Sequence, residues 1–228
     1  MSKGLKRRSM NTKTKLLALG VAIIIISLSL TPAILQTVGY PDQPSRIHVA
    51  CVGDSITAGT EYTIDLWTLL GRNYAVGNFG DPGTGVSSLS DKPYMNQSAF
   101  LLALQFEPKI VIIMLGTNDA HTTLNETNAD FVNNYVKLVN EFQKLASKPK
   151  IWIVTPPPIF KNDANLSTQF IPQNVIPNIE QVANNVNVSV IDVYTPLINH
   201  SEYFPDGVHP DSDGSKAIAK IVYDALDS

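Results

Sequence analysis

The chain has 228 residues, of which 44% are hydrophobic and 16% are charged, and its formal net charge is −3. This length suffices for one α/β domain with a sizeable core. The slightly acidic balance argues against a nucleic-acid partner. A single cysteine excludes an internal disulfide, and no Cys/His cluster has zinc-site spacing, so we expect no metal and no other cofactor.

Residues 1–44 have the order of charge and hydrophobicity that marks exported proteins. Six lysines and arginines precede an uncharged apolar run from Leu16 to about Leu35. The run is about 20 residues long, which is enough to cross a bilayer, and the positive charge before it keeps the N-terminus in the cytoplasm. Thr31-Pro32-Ala33 is a poor cleavage site. We therefore expect an uncleaved membrane anchor, with a cleaved signal peptide and a secreted protein as the alternative, and in either case an extracytoplasmic domain over 45–228.

From Arg46 onward, short apolar runs alternate with stretches of helical periodicity. The predicted strands are 47–52, 74–79, 109–115, 150–155 and 188–193. The predicted helices are 62–72, 95–106, 128–146, 172–186 and 212–226. Strands that alternate with helices form a parallel sheet covered by helices on both faces. We expect an α/β fold with a five-stranded parallel sheet in the order 2-1-3-4-5.

The first predicted strand ends on the turn Gly53-Asp54-Ser55. Ligands of parallel sheets bind just beyond the carboxyl ends of the strands, so the Ser55 hydroxyl stands where chemistry is usually done. On this turn alone, Ser55 fits a helix N-cap equally well. Farther along the chain, Asp206 and His209 supply a carboxylate and an imidazole three residues apart. A serine nucleophile needs such a base, so the two patterns together favour a serine hydrolase.

Two further strand ends carry candidate site residues, Gly80 after the second strand and Asn118 after the third. The carboxyl ends of parallel strands meet at one edge of the sheet, so these residues should lie near Ser55. Ester hydrolysis needs a nucleophile, a base and donors for the oxyanion. We predict Ser55 as the nucleophile, His209 as the base and Asp206 as the residue that orients it. The predicted oxyanion donors are the N–H groups of Ser55 and Gly80 and the side-chain amide of Asn118.

Four sequence blocks occur in order along the domain: Gly53-Asp54-Ser55, Asn78-x-Gly80, Gly116-Thr117-Asn118-Asp119 and Asp206-x-x-His209. Together they resemble the SGNH (GDSL) hydrolase family. The resemblance implies a flavodoxin-like, three-layer α/β/α fold. It also implies an esterase in which the four residues that give the family its name, S, G, N and H, are Ser55, Gly80, Asn118 and His209. Asp206 then completes the triad. The residues around the last block are most similar to members that remove acetyl groups from carbohydrates.

We therefore expect a serine esterase that hydrolyses short acyl esters, acetyl above all, on an extracytoplasmic carbohydrate. A lysophospholipase, a general short-chain esterase and an acyltransferase with the same triad remain enzymatic alternatives. A glycan-binding surface module is the non-enzymatic alternative. We would expect such a module to lack the motif residues of at least one block, whereas all four blocks are complete. The sequence does not indicate the oligomeric state.

The other acidic residues within and just after the blocks are interpreted as structural. We expect Asp54 and Asp119 to organise their turns rather than to react. Asp211 and Asp213 follow His209 closely and offer possible metal ligands, but a negatively charged helix N-terminus explains them more simply.

Overall fold

The computed structural model describes residues 45–121 and 127–227. The predicted basic segment and apolar run lie outside the described residues, so the division of the chain into 1–44 and 45–228 stays a prediction. Within the described part, no helix is long and apolar enough to cross a membrane.

Five parallel strands form one sheet in the order β2-β1-β3-β4-β5. Their bounds are β1 Ile47–Gly53, β2 Tyr74–Gly80, β3 Ile110–Met114, β4 Lys150–Val154 and β5 Ser189–Ile191. The predicted fold class and strand order are therefore confirmed. β5 is shorter than predicted because the N–H of Val188 still bonds to the helical carbonyl of Ala183, and the N–H of Val193 bonds to the Thr155 hydroxyl.

Seven α-helices in the described residues connect and cover these strands. Their bounds are α1 Ser55–Gly59, α2 Tyr62–Leu70, α3 Ser98–Gln105, α4 Asn128–Gln143, α5 Ile176–Val186, α6 Tyr194–Leu197 and α7 Ser212–Asp227. The sequence analysis did not predict α1 and α6, because helices of five and four residues are too short to show a period of 3.6.

The alternation of side chains along the strands creates two apolar cores, one on each face of the sheet. Ala50 and Val52 of β1 face the core formed with α3, α4 and α5. Val49 and Cys51 face the core formed with α1, α2, α6 and α7. The fold is therefore three-layered, as expected. Burial raises the pKa of the Cys51 thiol to about 12, so this residue is a small apolar core residue rather than a nucleophile.

The register of the sheet brings three strand ends level with one another. Gly53 lies beside Gly80 of β2 on one side and Met114 of β3 on the other. Glycine is needed at positions 53 and 80 because α1 packs directly over them. A Cβ at Gly53 would lie 2.1 Å from the Thr57 hydroxyl, and a Cβ at Gly80 would lie 2.3 Å from the Ala58 nitrogen. The segments that follow β1, β2 and β3 therefore begin close to one another, beside α1.

Candidate active site

The structure brings the three predicted triad side chains together in a chain of hydrogen bonds. Ser55 begins α1, and its Oγ lies 2.8 Å from Nε2 of His209. Nδ1 of the same ring lies 2.6 Å from Oδ2 of Asp206. With Nδ1–H donating to the carboxylate, Nε2 is left to accept the serine proton. This arrangement is the one that general-base activation of a hydroxyl requires.

The loop 206–209 holds its own carboxylate in place. Oδ1 of Asp206 accepts hydrogen bonds from the N–H groups of Val208, at 2.9 Å, and His209, at 2.7 Å. Burial raises the pKa of Asp206, but the hydrogen bonds from the His209 N–H, its imidazole and the Val208 N–H outweigh that effect and leave the pKa below its ordinary value. Asp206 is thus ionised at neutral pH and is placed to stabilise the imidazolium that would form when His209 takes the serine proton.

Two of the predicted oxyanion donors have an N–H available. The N–H of Ser55 is at the first position of α1, where the helix offers no acceptor. The Nδ2 group of Asn118 donates to the carbonyl of Thr84 at 2.9 Å and keeps a second hydrogen for another acceptor. Asn118 therefore links the loop after β2 to the loop after β3.

The third predicted donor, Gly80, is already engaged. Its N–H donates to Oδ1 of Asn78 at 3.0 Å, and its Cα packs against α1. In this structure Gly80 is a close-packing residue beneath the site, and its N–H is not free for a substrate oxygen.

The turn that follows Gly80 contains a donor that the sequence analysis missed. Residues 81–84 form a β-turn in which the Thr84 N–H lies 3.3 Å from the Asp81 carbonyl oxygen, and Gly83 has φ +78°, as at the third position of a type II turn. Residues 80–85 are all described, and within them the Gly83 N–H is the one backbone donor without an acceptor. The other N–H groups of this segment bond to Asn78, Gly53, Asp81 and Lys92, and Pro82 has none. The Pro-Gly pair, typical of a type II turn, is the sequence signal that could have revealed it.

The buried carboxylates beside the site organise its turns, as expected. Asp54 caps α1 through a 2.9 Å hydrogen bond from the Ile56 N–H. Asp119 accepts hydrogen bonds from the N–H groups of Val86, at 3.0 Å, and Ser87, at 2.9 Å. Burial raises the pKa of Asp119, and burial raises the pKa of Asp54 to about 6. These carboxylates hold the loops after β1, β2 and β3 in their relative positions.

The acidic residues after His209 cap a helix. Oδ1 of Asp211 accepts hydrogen bonds of 3.0 Å from the N–H groups of Asp213 and Gly214, at the beginning of α7. Across residues 45–121 and 127–227, no group of three or more His, Cys, Asp or Glu side chains is arranged to hold a metal ion. The helix N-terminus therefore accounts for Asp211 without a metal ligand role.

A cleft of about 500 Å³ opens directly beside the imidazole of the triad. One wall is the segment 161–164 and the other is the triad loop itself. The lining residues are Lys161, Asn162, Asp163, Ala164, Pro205, Asp206, Val208 and His209. Asn162 shapes the first wall, because its Oδ1 accepts from the Ala164 N–H at 3.0 Å and its Nδ2 donates to the Phe160 carbonyl at 2.9 Å. The cleft is thus lined by one lysine, Lys161, and two carboxylates, Asp163 and Asp206.

Gly207 joins the two walls of this cleft. Its carbonyl accepts a 2.8 Å hydrogen bond from the N–H of Phe160. Its φ is +81°, and a Cβ there would lie 2.2 Å from the Lys161 carbonyl oxygen. Any side chain at this position would separate the segment 161–164 from the triad loop.

Solved esterases share this fold. Est24, a carbohydrate acetylesterase from Sinorhizobium meliloti, is similar with a TM-score of 0.64 and 20% identity, over 80% of this chain and 99% of that one. The aryl esterase of M. smegmatis is similar with a TM-score of 0.63 and 18% identity, over 79% of this chain and 98% of that one. At these identities the likeness shows the fold alone.

Sequence comparison relates the chain to one esterase and to one protein family. The chain is 30% identical over 218 residues to an acetylxylan esterase of Xylanibacter ruminicola, and the match covers 84% of this chain but 45% of that protein. This chain therefore spans less than half the length of that relative. The sequence profile of the GDSL-like lipase/acylhydrolase family matches residues 51–217, a range that contains all four blocks. With most of its domain matched in this way, the chain belongs to the GDSL-like lipase/acylhydrolase family of carboxylic ester hydrolases.

Proposed function

We propose that this protein is a serine esterase that removes acetyl groups from an extracytoplasmic carbohydrate. The observation that carries the proposal is the hydrogen-bonded chain from Asp206 through His209 to Ser55, in which Asp206 and His209 also line a cleft. The 30% identity to an acetylxylan esterase supports the same substrate class.

In the proposed reaction, Ser55 Oγ attacks the carbonyl carbon of the acetyl ester while His209 Nε2 takes the hydroxyl proton. Asp206 stabilises the imidazolium that forms. The tetrahedral intermediate collapses as the bond to the sugar oxygen breaks, and His209 returns the proton to that oxygen. A water molecule, deprotonated by His209, then attacks the acetyl-serine and releases acetate with Ser55 restored.

The negative charge on the carbonyl oxygen is stabilised by three N–H groups in this proposal. They belong to the Ser55 backbone, the Gly83 backbone and the Asn118 side chain. Gly83 takes the place that was predicted for Gly80, since the Gly80 N–H bonds to Asn78, whereas the Gly83 N–H bonds to no acceptor within the described residues. Such donors act on the charge that develops in the transition state, so their orientation before reaction determines their value.

The position of the cleft supports a hydroxyl-rich alcohol as the leaving group. His209 must protonate the leaving oxygen, so the alcohol part of the ester lies on the side of the triad that borders the cleft. Lys161 and Asp163 offer hydrogen-bond partners to sugar hydroxyls there. The side chains of His209 and Asp206 are 44% and 56% exposed, so the site is shallow enough to admit a group attached to a polymer.

An extracytoplasmic site for the enzyme is supported by the order of residues 1–35, basic and then apolar. The protein is then membrane-anchored through this segment, or secreted after its removal. Fractionation of cells, with protease added from the outside, tests this part of the proposal. Intact, protected protein in the cytosolic fraction would contradict it.

The substrate is tested by acetate release from acetylated xylo-oligosaccharides and acetylated monosaccharides. These are compared with p-nitrophenyl esters from acetate to palmitate and with a lysophospholipid. We expect the highest kcat/KM on acetylated sugars and a steep decline beyond butyrate. Preference for long acyl chains or for the lysophospholipid would favour the lysophospholipase alternative. Acetyl transfer to an added alcohol in place of hydrolysis would favour an acyltransferase.

A further inference from the structure

Lys92 lies outside the four sequence blocks, yet its ammonium group contacts the turn that carries Gly83. It forms an ion pair with Asp81 and donates a 2.9 Å hydrogen bond to the Pro82 carbonyl. The Lys92 side chain is 39% exposed and that of Asp81 is 20% exposed, so the pair is partly shielded from solvent. Lys92 therefore contacts both of the turn residues that immediately precede Gly83.

The hydrogen bond to Pro82 determines where the Gly83 N–H points. The Pro82 carbonyl and the Gly83 N–H belong to the same peptide unit, and in a trans peptide these two groups point in opposite directions. Since the carbonyl points toward Lys92, the N–H points away from it.

The alternative conformation of the turn would reverse this direction. Type I and type II turns differ by a rotation of roughly 180° of the central peptide, and glycine at the third position tolerates both. The turn sequence by itself therefore leaves the peptide free to rotate. A cation hydrogen-bonded to the Pro82 carbonyl stabilises the type II orientation, because the rotation would remove the carbonyl from the ammonium group.

Lys92 is held beside the turn by its backbone as well as by its side chain. Its carbonyl accepts a 3.2 Å hydrogen bond from the Gly85 N–H, just after the turn. The other side of the turn is fixed by the Asn118 amide on the Thr84 carbonyl and by the Asp81 N–H on the Gly53 carbonyl, at 3.0 Å. The ends of the turn are thus anchored independently of Lys92, and its central peptide is held by the ammonium group.

We propose that Lys92 is a positioning residue of the oxyanion hole, whose ammonium group keeps the Pro82–Gly83 peptide turned so that the Gly83 N–H faces the tetrahedral intermediate. The inference rests on the proposed function, in which Gly83 is an oxyanion donor. Lys92 touches no reacting atom in this scheme. It acts on kcat through the orientation of a donor that matters mainly in the transition state.

The test compares Lys92→Met, which keeps the length of the side chain but removes its charge and donors, with Lys92→Arg, which keeps both. Loss of a whole oxyanion donor lowers kcat by a factor of about 10²–10³. Misorientation of a donor for part of the time should therefore lower kcat roughly tenfold. We expect this loss in Lys92→Met with KM for p-nitrophenyl acetate little changed, and recovery of most of the activity in Lys92→Arg. A matched control is Lys216→Met, which removes an exposed ion pair with Asp213 on α7 and should leave kcat unchanged.

Asp81→Asn separates the peptide contact from the ion pair. This variant keeps the Lys92 hydrogen bond to the Pro82 carbonyl, so it should lower kcat less than Lys92→Met does. An equal or larger loss in Asp81→Asn would overturn the inference, because the effect would then belong to the ion pair. Melting temperatures are recorded for every variant, and kinetics are measured well below the lowest of them.

The results distinguish the inference from the proposed function. If the wild-type protein releases no acetate, or if Ser55→Ala is as active as wild type, the proposed function fails. If wild type is active through Ser55 and Lys92→Met keeps its kcat, only the role of Lys92 fails. A Lys92→Met variant that raises KM alone, or a Lys92→Arg variant that is as impaired as Lys92→Met, would also overturn that role.

Discussion

The Oγ atom of Ser55 lies 2.8 Å from Nε2 of His209, although the two residues are 154 positions apart in the sequence. Ser55 follows β1, which lies between β2 and β3 in the sheet, while His209 lies in the loop that precedes α7. The sheet order places both segments at the carboxyl edge, and the hydrogen bonds within 206–209 turn the imidazole toward the serine.

Ser55→Ala should lower kcat by several orders of magnitude, because the nucleophile is removed. The fold should persist, since Asp54 still caps α1 and no core residue changes. A fluorophosphonate should label the wild type at Ser55, as read by mass spectrometry of the labelled peptide. Ser201→Ala, at an exposed serine, serves as the control and should be labelled like wild type. Labelling of the Ser55→Ala variant at full extent would refute the assignment.

Asn118→Ala should reduce kcat by about 10²–10³, the usual scale for one oxyanion donor, with a smaller effect on KM. Asn118→Asp should be worse than alanine, because a carboxylate would repel the developing negative charge. Michaelis kinetics on p-nitrophenyl acetate and butyrate measure both parameters. A rise in KM with kcat intact would instead make Asn118 a binding or turn residue, in keeping with its hydrogen bond to Thr84.

Alanine at Gly80 should mainly lower stability, whereas alanine at Gly83 should mainly lower activity. At Gly80 the new Cβ would meet the Ala58 nitrogen at 2.3 Å, so Gly80→Ala should lower the free energy of unfolding by about 1–3 kcal/mol, as overpacking does. At Gly83 nothing lies within 4 Å of a Cβ, but φ is +78°, so Gly83→Ala should shift the turn and lower kcat with a smaller loss of stability. Urea unfolding and kinetics on the same samples test the contrast. A stable Gly80→Ala enzyme with a large loss of kcat would restore Gly80 as the oxyanion donor.

Lys161→Met should weaken the binding of sugar substrates without changing the chemistry of the triad. Lys161 lines the cleft beside His209, and one lost hydrogen bond there should raise KM for an acetylated xylo-oligosaccharide roughly three- to tenfold. The KM for p-nitrophenyl acetate, which has no sugar, should stay the same. Lys220→Met, at an exposed ion pair on α7, is the control. Equal effects on both substrates would show that the cleft does not bind the alcohol part of the ester.

The buried carboxyl of Asp54 should make the protein less stable as pH rises. Burial, with the nearby charge of Asp119, raises its pKa from 3.8 to about 6. Between these two values the folded state binds more protons than the unfolded state, so the free energy of unfolding falls as pH rises through this window and levels off above it. Burial of Asp119 raises the pKa of that group too and adds in the same direction.

Asp54→Asn tests this dependence, because its side-chain oxygen can still accept the Ile56 N–H that caps α1. Chemical unfolding at a series of pH values from 4 to 8 should show a smaller decline for the variant than for wild type. Identical slopes for the two proteins would mean that Asp54 does not titrate in this window.

Much of the fold was predictable because buried parallel strands appear in the sequence as short, continuous apolar runs. β1, β3 and β4 are apolar runs of five to seven residues with both faces covered, and helical periodicity separates them. The blocks at the ends of the strands also indicated Ser55, His209 and Asp206 as neighbours. The topology of a parallel sheet brings strand ends together, whatever the length of chain between them.

The tertiary structure decided which donors are free. The sequence pattern favoured Gly80, whereas in the structure Asn78 occupies the N–H of Gly80 and a type II turn leaves that of Gly83 exposed. The contact of Lys92 with Pro82 and the cleft beside His209 also depend on loops packed across the edge of the sheet. Composition and periodicity report which residues are buried, whereas the partner of a polar group depends on the three-dimensional path of each loop.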